Sequence, residues 1–507
     1  MAELQSLNTV PHAIQTVALA TLIFAVCVFF TQINFYAQFR KIPAYAGNPG
    51  SSKKRQTAYL ESARKFYEDG YKQFSNSVYR MAGTETLETV VVPPAFLPEL
   101  RRQPDDVLSF PHAVNETMET KYTKLDTNEP LGMKTIKADL TPALARLNPT
   151  ICVEVDEAMK AEMPACDDWT NVSIYMTLVR IIAKVSGRVF VGPELCRNQD
   201  YLDAGINYTM ELIAAQREIK KVRPMLRPFL APRLPEVKRL RKREEEAKVL
   251  LEPIVQARLD ALKKPGFEKP DDMLQWFINR GEGADLHKLA KLQLGVIFAA
   301  IHTTSLTVTN IMYTLAVMPE YFKPLRDEIA SVMAAHGGVI TSKALQEMVK
   351  LDSYMKEVTR FYPAGITSFS RKVMKGFYLS NGQYLPAGVS IEVPSAAIYQ
   401  DDANYPNPEK FDGFRFSELR KQNSVAAHAR NQFVTTNEQN LGFGYGAHAC
   451  PGRFFAANEI KMILARAILE YEWKNEDGSM ERYPNLEQGR QTAPDPRKLL
   501  SFKKVKA

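Results

Sequence analysis

Cysteine is scarce in this 507-residue chain: five occur, at positions 27, 152, 166, 196 and 450, scattered and odd in number. That argues against a disulfide framework and for a reducing compartment. Other absences narrow the chemistry. No histidine is followed two residues later by Asp or Glu, which counts against a non-haem iron site built from two His and one carboxylate. Gly444-x-Gly446-x-x-Ala449 fits a dinucleotide fingerprint in form, but the upstream Thr435–Asn440 stretch is polar and strandless, so the βαβ setting is missing. The basic stretch Arg217 to Arg243 carries no recognised nucleic-acid motif, and its prolines would break a groove-reading helix.

What is present is ordinary in bulk, with 45% hydrophobic and 24% charged residues. The length suits two or three average domains or one large-core enzyme. A net charge of +8 is compatible with anionic membranes, nucleic acid or an acidic protein partner. Thr16 to Tyr36 is almost continuously apolar and long enough to cross a bilayer as a helix. It lacks the basic n-region and A-x-A site of a cleaved leader. Arg40, Lys41, Lys53, Lys54 and Arg55 follow it, so the positive-inside bias leaves residues 1–15 luminal and the body cytosolic. Residues 37–56 read as a Pro/Gly and basic hinge, and 57–507 as the catalytic body. Sequons at Asn115, Asn171 and Asn207 should then go unused.

The densest signal is Leu441-Gly-Phe443-Gly-Tyr-Gly446-Ala-His448-Ala-Cys450-Pro-Gly452. Ala456, Ile460, Ile463, Leu464, Ala467 and Ile468 then recur at helical spacing, which puts Cys450 just where a helix begins. A helix start favours a thiolate, and a thiolate in a glycine-rich loop suits a soft axial ligand for iron. One cysteine alone would more often be an inert buried residue. The pattern Phe443-x-x-Gly446-x-His448-x-Cys450-x-Gly452, however, resembles the haem-binding signature of the cytochrome P450 family. That resemblance implies Cys450 as the proximal iron ligand and Phe443 against the porphyrin. It also implies close backbone approach at Gly446 and Gly452, with His448 reaching a propionate.

A long apolar helix-like run, Leu289 to Met318, contains Phe298-Ala299-Ala300-Ile301-His302-Thr303-Thr304. Adjacent threonines inside a buried helix bond back to the previous turn and bend it. The stretch resembles the family's distal oxygen-binding motif, with Thr303 in the oxygen-facing position and Thr304 after it. Two departures stand out. Ala300 replaces the usual glycine, and His302 replaces the usual acid, so His302 is either a proton relay or a hydrogen-bonding strut. Glu357-x-x-Arg360, followed by Pro406 to Phe416, resembles the family's Glu–Arg–Arg network, with Arg415 as its third member. Arg371 resembles the propionate-binding arginine. Phe298, Ala299, Ile301, Ile366 and Phe369 are the expected substrate-pocket residues. The prolines and basic–apolar mixture of Arg217–Arg243 suit the family's membrane-dipping cover over the substrate entrance.

Together these features are similar to a microsomal, fungal-type P450, mainly α with a minor β region and one N-terminal transmembrane helix. The short β pieces include an Asn381-Gly382 hairpin and the alternating strand Val389–Val393. The resemblance implies haem b, O2 activation and hydroxylation of a C–H bond in a lipophilic molecule, of the terpenoid or fungal secondary-metabolite kind. With no nicotinamide site of its own, the chain would take electrons from NADPH-cytochrome P450 reductase, with cytochrome b5 as a further partner, at the endoplasmic reticulum membrane. A haem-thiolate isomerase or dehydratase and a non-catalytic haem sensor are the alternatives.

Overall fold

The apolar run predicted as a distal helix forms one, from Leu286 to Leu315, and its start is fixed by Asp285, whose carboxylate accepts the Lys288 amide at 2.9 Å. It lies at the centre of a helical body, packed by helices Ile174–Phe190, Gln199–Lys221 and Pro235–Ala261. Most of its side chains are buried, so it is a core helix despite its membrane-like composition. The computed structural model describes residues 2–84, 87–125, 130–281, 283, 285–421 and 424–505, with side chains from residue 14 onward. The side chains of the expected luminal stretch therefore lie, up to residue 13, outside the described residues.

A minor β region flanks the helices. Five short strands run in the order Tyr79–Met81, Thr89–Val91, Ser390–Val393, Ser368–Val373 and Leu108–Ser109. Phe377–Tyr378 and Tyr384–Leu385 close a hairpin through Asn381, whose side chain accepts the Gln383 amide, and Gly382 at φ +83°. The three-stranded sheet Thr170–Val172, Leu500–Lys504 and Tyr471–Asn475 ties the C-terminus to the helical core.

The N-terminal helix spans Ala2–Phe39, and Ile14–Phe39 within it is long and apolar enough to cross a membrane. From Ile14 to Ile33 its large apolar side chains are exposed, while Phe35 packs on the sheet's apolar cluster. An apolar helical stretch exposed all round is compatible with a lipid setting. The hinge that was expected after it is not a free joint. Phe39 and Ile42 are buried in the sheet's apolar cluster, and Ala44 bridges Arg80 as an added edge. Arg80 clamps the join: its Nε donates to the Ile42 carbonyl at 2.8 Å and its guanidinium lies 4.9 Å from the Phe39 ring centroid. Proline and glycine here shape an extended edge segment, and burial of Phe39 and Ile42 fixes it.

Candidate active site

The cysteine loop is closed by its own backbone. The Cys450 amide donates to the Phe443 carbonyl at 2.8 Å, and Gly444 and Gly446 take φ of +72° and +73°, a region that side chains with a Cβ rarely enter. At Gly446 a Cβ would also come within 3.2 Å of the Arg101 Cβ. At Gly452 an added Cβ would meet no heavy atom within 4 Å, so this position faces open space. Phe443 is held edge-on by Phe433, with ring centroids 5.2 Å apart. The helix begun here runs Arg453–Glu470.

Cys450 is accessible, yet protein surrounds it closely enough to desolvate it. Burial pushes its thiol up, while the Gly452 and Arg453 amides and the Arg453 charge pull the other way. The helix start acts in the expected direction but loses to desolvation. The thiolate form therefore needs a cation to hold it, as a metal ion does.

Beside the loop lies a cavity of about 220 Å³ whose polar lining includes Arg101, Asp105, Arg371, Tyr445 and His448. Arg371 is buried, sandwiched between Phe110 and Phe369 at 5.1 and 4.1 Å, and its one hydrogen bond among the described residues is to the Ser370 carbonyl. No carboxylate is bonded to it among the described residues, and desolvation lowers its pKa to about 10. His448 Nε2 is 2.7 Å from Asp105, while its Nδ1 is buried without a partner.

On the distal helix Ala299 and Thr303 are accessible on one face, four residues apart. The Thr303 hydroxyl donates to the Ala299 carbonyl at 2.7 Å, with the Ala300 carbonyl at 3.4 Å. Thr304 is buried. His302 is directed into the helix packing. Its Nε2–H donates to the Ile206 carbonyl at 2.9 Å, which leaves Nδ1 to accept from the Tyr175 hydroxyl at 3.0 Å. Burial lowers its pKa, so the ring is held neutral.

The cytochrome P450 sequence profile matches residues 71–500 of the chain. The chain belongs to the cytochrome P450 family. It is 41% identical to cytochrome P450 monooxygenase ATR3 of Stachybotrys chlorohalonatus over 82% of its length and 89% of that protein's. It is 36% identical to cytochrome P450 monooxygenase TES1 of Alternaria alternata, covering 97% and 94%. Ent-kaurene oxidase P450-4 of Gibberella fujikuroi is 35% identical, covering 86% of each. Retinoic acid bound cyanobacterial CYP120A1 superposes with a TM-score of 0.67 at 18% identity, covering 92% of this chain and 100% of that one, which shows the fold. This P450 is thus an oxidoreductase of the monooxygenase kind, in a family that works through haem-thiolate.

The residues present fit that group. Cys450 is a soft donor in need of a cation, Arg371 is a buried cation in need of an anion, and Gly452 leaves free space in the same loop. Behind it, Glu357 accepts from Arg360 Nε and Nη2, both at 2.8 Å, and from Arg415 Nε at 3.2 Å. These three sequence-predicted residues do come together, with Glu357 and Arg360 buried and Arg415 partly so.

The expected pocket residues divide. Phe298 is half-buried near accessible Ala299. Ile301 turns away from the Thr303 face, its Cδ1 lying 3.9 Å from where a Cβ on Gly205 would sit, because that face of the helix packs on helix Gln199–Lys221. Ile366 is fully buried among Tyr59, Tyr67 and Val91. Phe369, at φ +54°, lines the polar cavity and packs on Arg371. Ile301 and Ile366 are thus buried in packing, while Phe369 borders the polar cavity. Residue-type reasoning missed Arg101, Asp105, Tyr175 and Phe433, which lie far from any motif in the sequence.

Proposed function

We propose that this P450 hydroxylates or further oxidises a lipophilic small molecule, a terpenoid or related fungal secondary metabolite. Its electrons come from NADPH through a separate reductase, with cytochrome b5 as a further donor. The observation that carries the reading is the accessible, desolvated Cys450 in a glycine-shaped loop at a helix start. The ent-kaurene oxidase name of a 35%-identical relative supports the terpenoid class. The net charge of +8 suits an acidic reductase.

Haem b bound through Cys450 would supply the one-electron and oxygen chemistry. Arg371 and His448 would hold its propionates, and Phe443 would pack beside the sulfur. Monooxygenation consumes two protons per oxygen inserted, and this is where Thr303 acts. Its hydroxyl is parked on the Ala299 carbonyl and can rotate toward the accessible face to pass a proton. His302 is an orienting strut: a neutral ring clasped by Tyr175 and Ile206 has no free proton to relay.

The expected result is that Thr303→Ala keeps haem and substrate binding but diverts reducing equivalents to peroxide, with product formation down about 10-fold or more. His302→Ala should slow turnover and cost about 1–3 kcal/mol, since it strands two partly buried partners. His302→Asp should not restore the rate, because a carboxylate would face the Ile206 carbonyl. Peroxide and product per NADPH measure all three; full coupling in Thr303→Ala, or rescue by His302→Asp, would reverse the two assignments.

The same reading puts the protein in the endoplasmic reticulum membrane as a single-pass protein with its body in the cytosol. Two features support membrane contact. One is the bare apolar helix Ile14–Phe39. The other is the segment after helix Gln199–Lys221, where Met225, Leu226, Phe229 and Leu230 are exposed among Arg223 and Arg233. A cavity of about 850 Å³ has lining from this segment, at Pro224 and Arg227, and from Gly388, whose Cβ position lies 3.8 Å from Phe35 of the N-terminal helix. A lipophilic substrate would enter there. Deleting residues 2–33, which spares Phe35 and buried Phe39, should release most of the protein from microsomes. The remainder should leave when Met225, Leu226, Phe229 and Leu230 are also made polar. Glycan on Asn115, Asn171 or Asn207 of the full chain would put the body in the lumen.

A further inference from the structure

The segment after helix Leu97–Leu100 runs alongside the cysteine loop and touches it at two points. Arg101 Nη1 donates to the Tyr445 hydroxyl at 2.9 Å, and Asp105 takes His448 Nε2 at 2.7 Å. Asp105 is the one carboxylate among the described residues lining the 220 Å³ cavity, whose cations are Arg101 and Arg371. A carboxylate is out of place in a chamber built for an anion, so its presence needs a reason. Its geometry supplies two. It is the acceptor that fixes the His448 ring, whose other contacts among the described residues are a tilted ring contact with Phe110, 5.3 Å away, and a buried Nδ1 without a partner. It is also the negative charge acting on Arg371, which has no carboxylate bonded to it.

We infer that Asp105 is a positioning residue for the haem end of the site: it holds His448 by Nε2, and its negative charge biases the bound iron toward the oxidised state. This rests on the haem-thiolate reading of Cys450. A negative charge close to an iron centre stabilises the more positive oxidation state, and screening by water weakens the effect without changing its sign. Asp105 is about half exposed, so it is the direction of the effect that discriminates. The consequence for function is a resting enzyme that accepts its first electron less readily than the cations around the propionates alone would allow.

Two substitutions separate the two parts. Asp105→Asn keeps an oxygen that can accept from His448 while removing the charge; Asp105→Leu removes both. The neighbour Asp106 supplies the control, because it pairs with Lys375 at 2.6 Å on the surface and Asp106→Asn removes the same charge outside the cavity. On full-length haem-loaded protein, the reduction potential of Asp105→Asn should move positive, by more than that of Asp106→Asn. Haem transfer to an excess of apomyoglobin should stay near wild type in Asp105→Asn and become several-fold faster in Asp105→Leu. Should Asp105→Leu fail to load haem while Asp105→Asn and Asp105→Glu load it, the positioning part stands on that contrast. Equal potentials in Asp105→Asn and Asp106→Asn, or equal haem retention in Asp105→Asn and Asp105→Leu, would overturn the corresponding part. A red-shifted carbon monoxide band in every variant keeps this test separate from the Cys450 assignment.

Discussion

Cys450→Ser should abolish the red-shifted Soret band expected of the reduced, carbon monoxide-treated protein, and turnover should fall by more than about three orders of magnitude, or about 4 kcal/mol of barrier. The loop itself should survive. Its closure depends on the Cys450 amide and the Phe443 carbonyl and on glycines at positive φ, none of which involves sulfur. Arg371 and His448 are also untouched, so some haem should remain, with the spectrum of a ligand other than thiolate. Cys152, Cys166 and Cys196 are buried elsewhere in the core and offer no substitute sulfur. The measurement is the difference spectrum paired with NADPH-driven product formation in the presence of reductase. A wild-type band in Cys450→Ser would mean that another residue holds the iron.

The cysteine loop was legible because glycine spacing, a helix start and a lone thiol sit in one twelve-residue window, where local geometry dictates residue type. The distal helix was legible from its unbroken apolar run and its paired threonines. What lay hidden depends on which residues the fold brings together. Asp105 and His448 are 343 residues apart in sequence, and nothing in Pro104-Asp105-Asp106 says which aspartate faces inward. His302 could be read from sequence as relay or strut, and the contact that bears on the choice is with Tyr175, 127 residues upstream. Glu392, on the alternating strand, is buried and accepts from Tyr67, Thr367 and Arg490, partners that its own segment does not announce. Apolar residues near the motif were placed in the pocket by type alone, and type does not report direction: Ala299 is accessible, Ile301 and Ile366 are buried, and Phe369 borders the polar cavity. Glu459 is the sharpest case. It sits on the Arg453–Glu470 helix at a buried position, pushed up to about 8 by desolvation, with Ser186 as its one hydrogen-bond partner.

Glu357→Gln should yield little haem-loaded protein. The carboxylate is fully buried and accepts from two guanidinium groups and from the Asp412 amide at 3.0 Å. Each arginine spends its remaining donors on backbone carbonyls: Arg360 on Tyr399 and Pro408, and Arg415 on Pro406, Asn407 and Lys410. One acid therefore governs how the chain from Tyr399 to Arg415 lies on the helix Val349–Phe361. Glutamine is the same size but carries no charge, so it leaves one buried and one partly buried cation without a counter-ion. Breaking a buried pair in this way costs about 3–5 kcal/mol, against a total stability of about 5–15 kcal/mol for a typical folded domain. Arg415→Lys keeps the charge and loses the planar fork, so its cost should be smaller, about 1–2 kcal/mol. The exposed pair Lys421–Glu418 provides the contrast: Glu418→Gln should leave stability within about 0.5 kcal/mol of wild type. Soret absorbance per unit protein and the thermal unfolding midpoint of the purified full-length chain rank the three. Wild-type haem content and melting in Glu357→Gln would show that the two arginines are held by backbone carbonyls alone, and that the acid is dispensable to the core behind the cysteine loop.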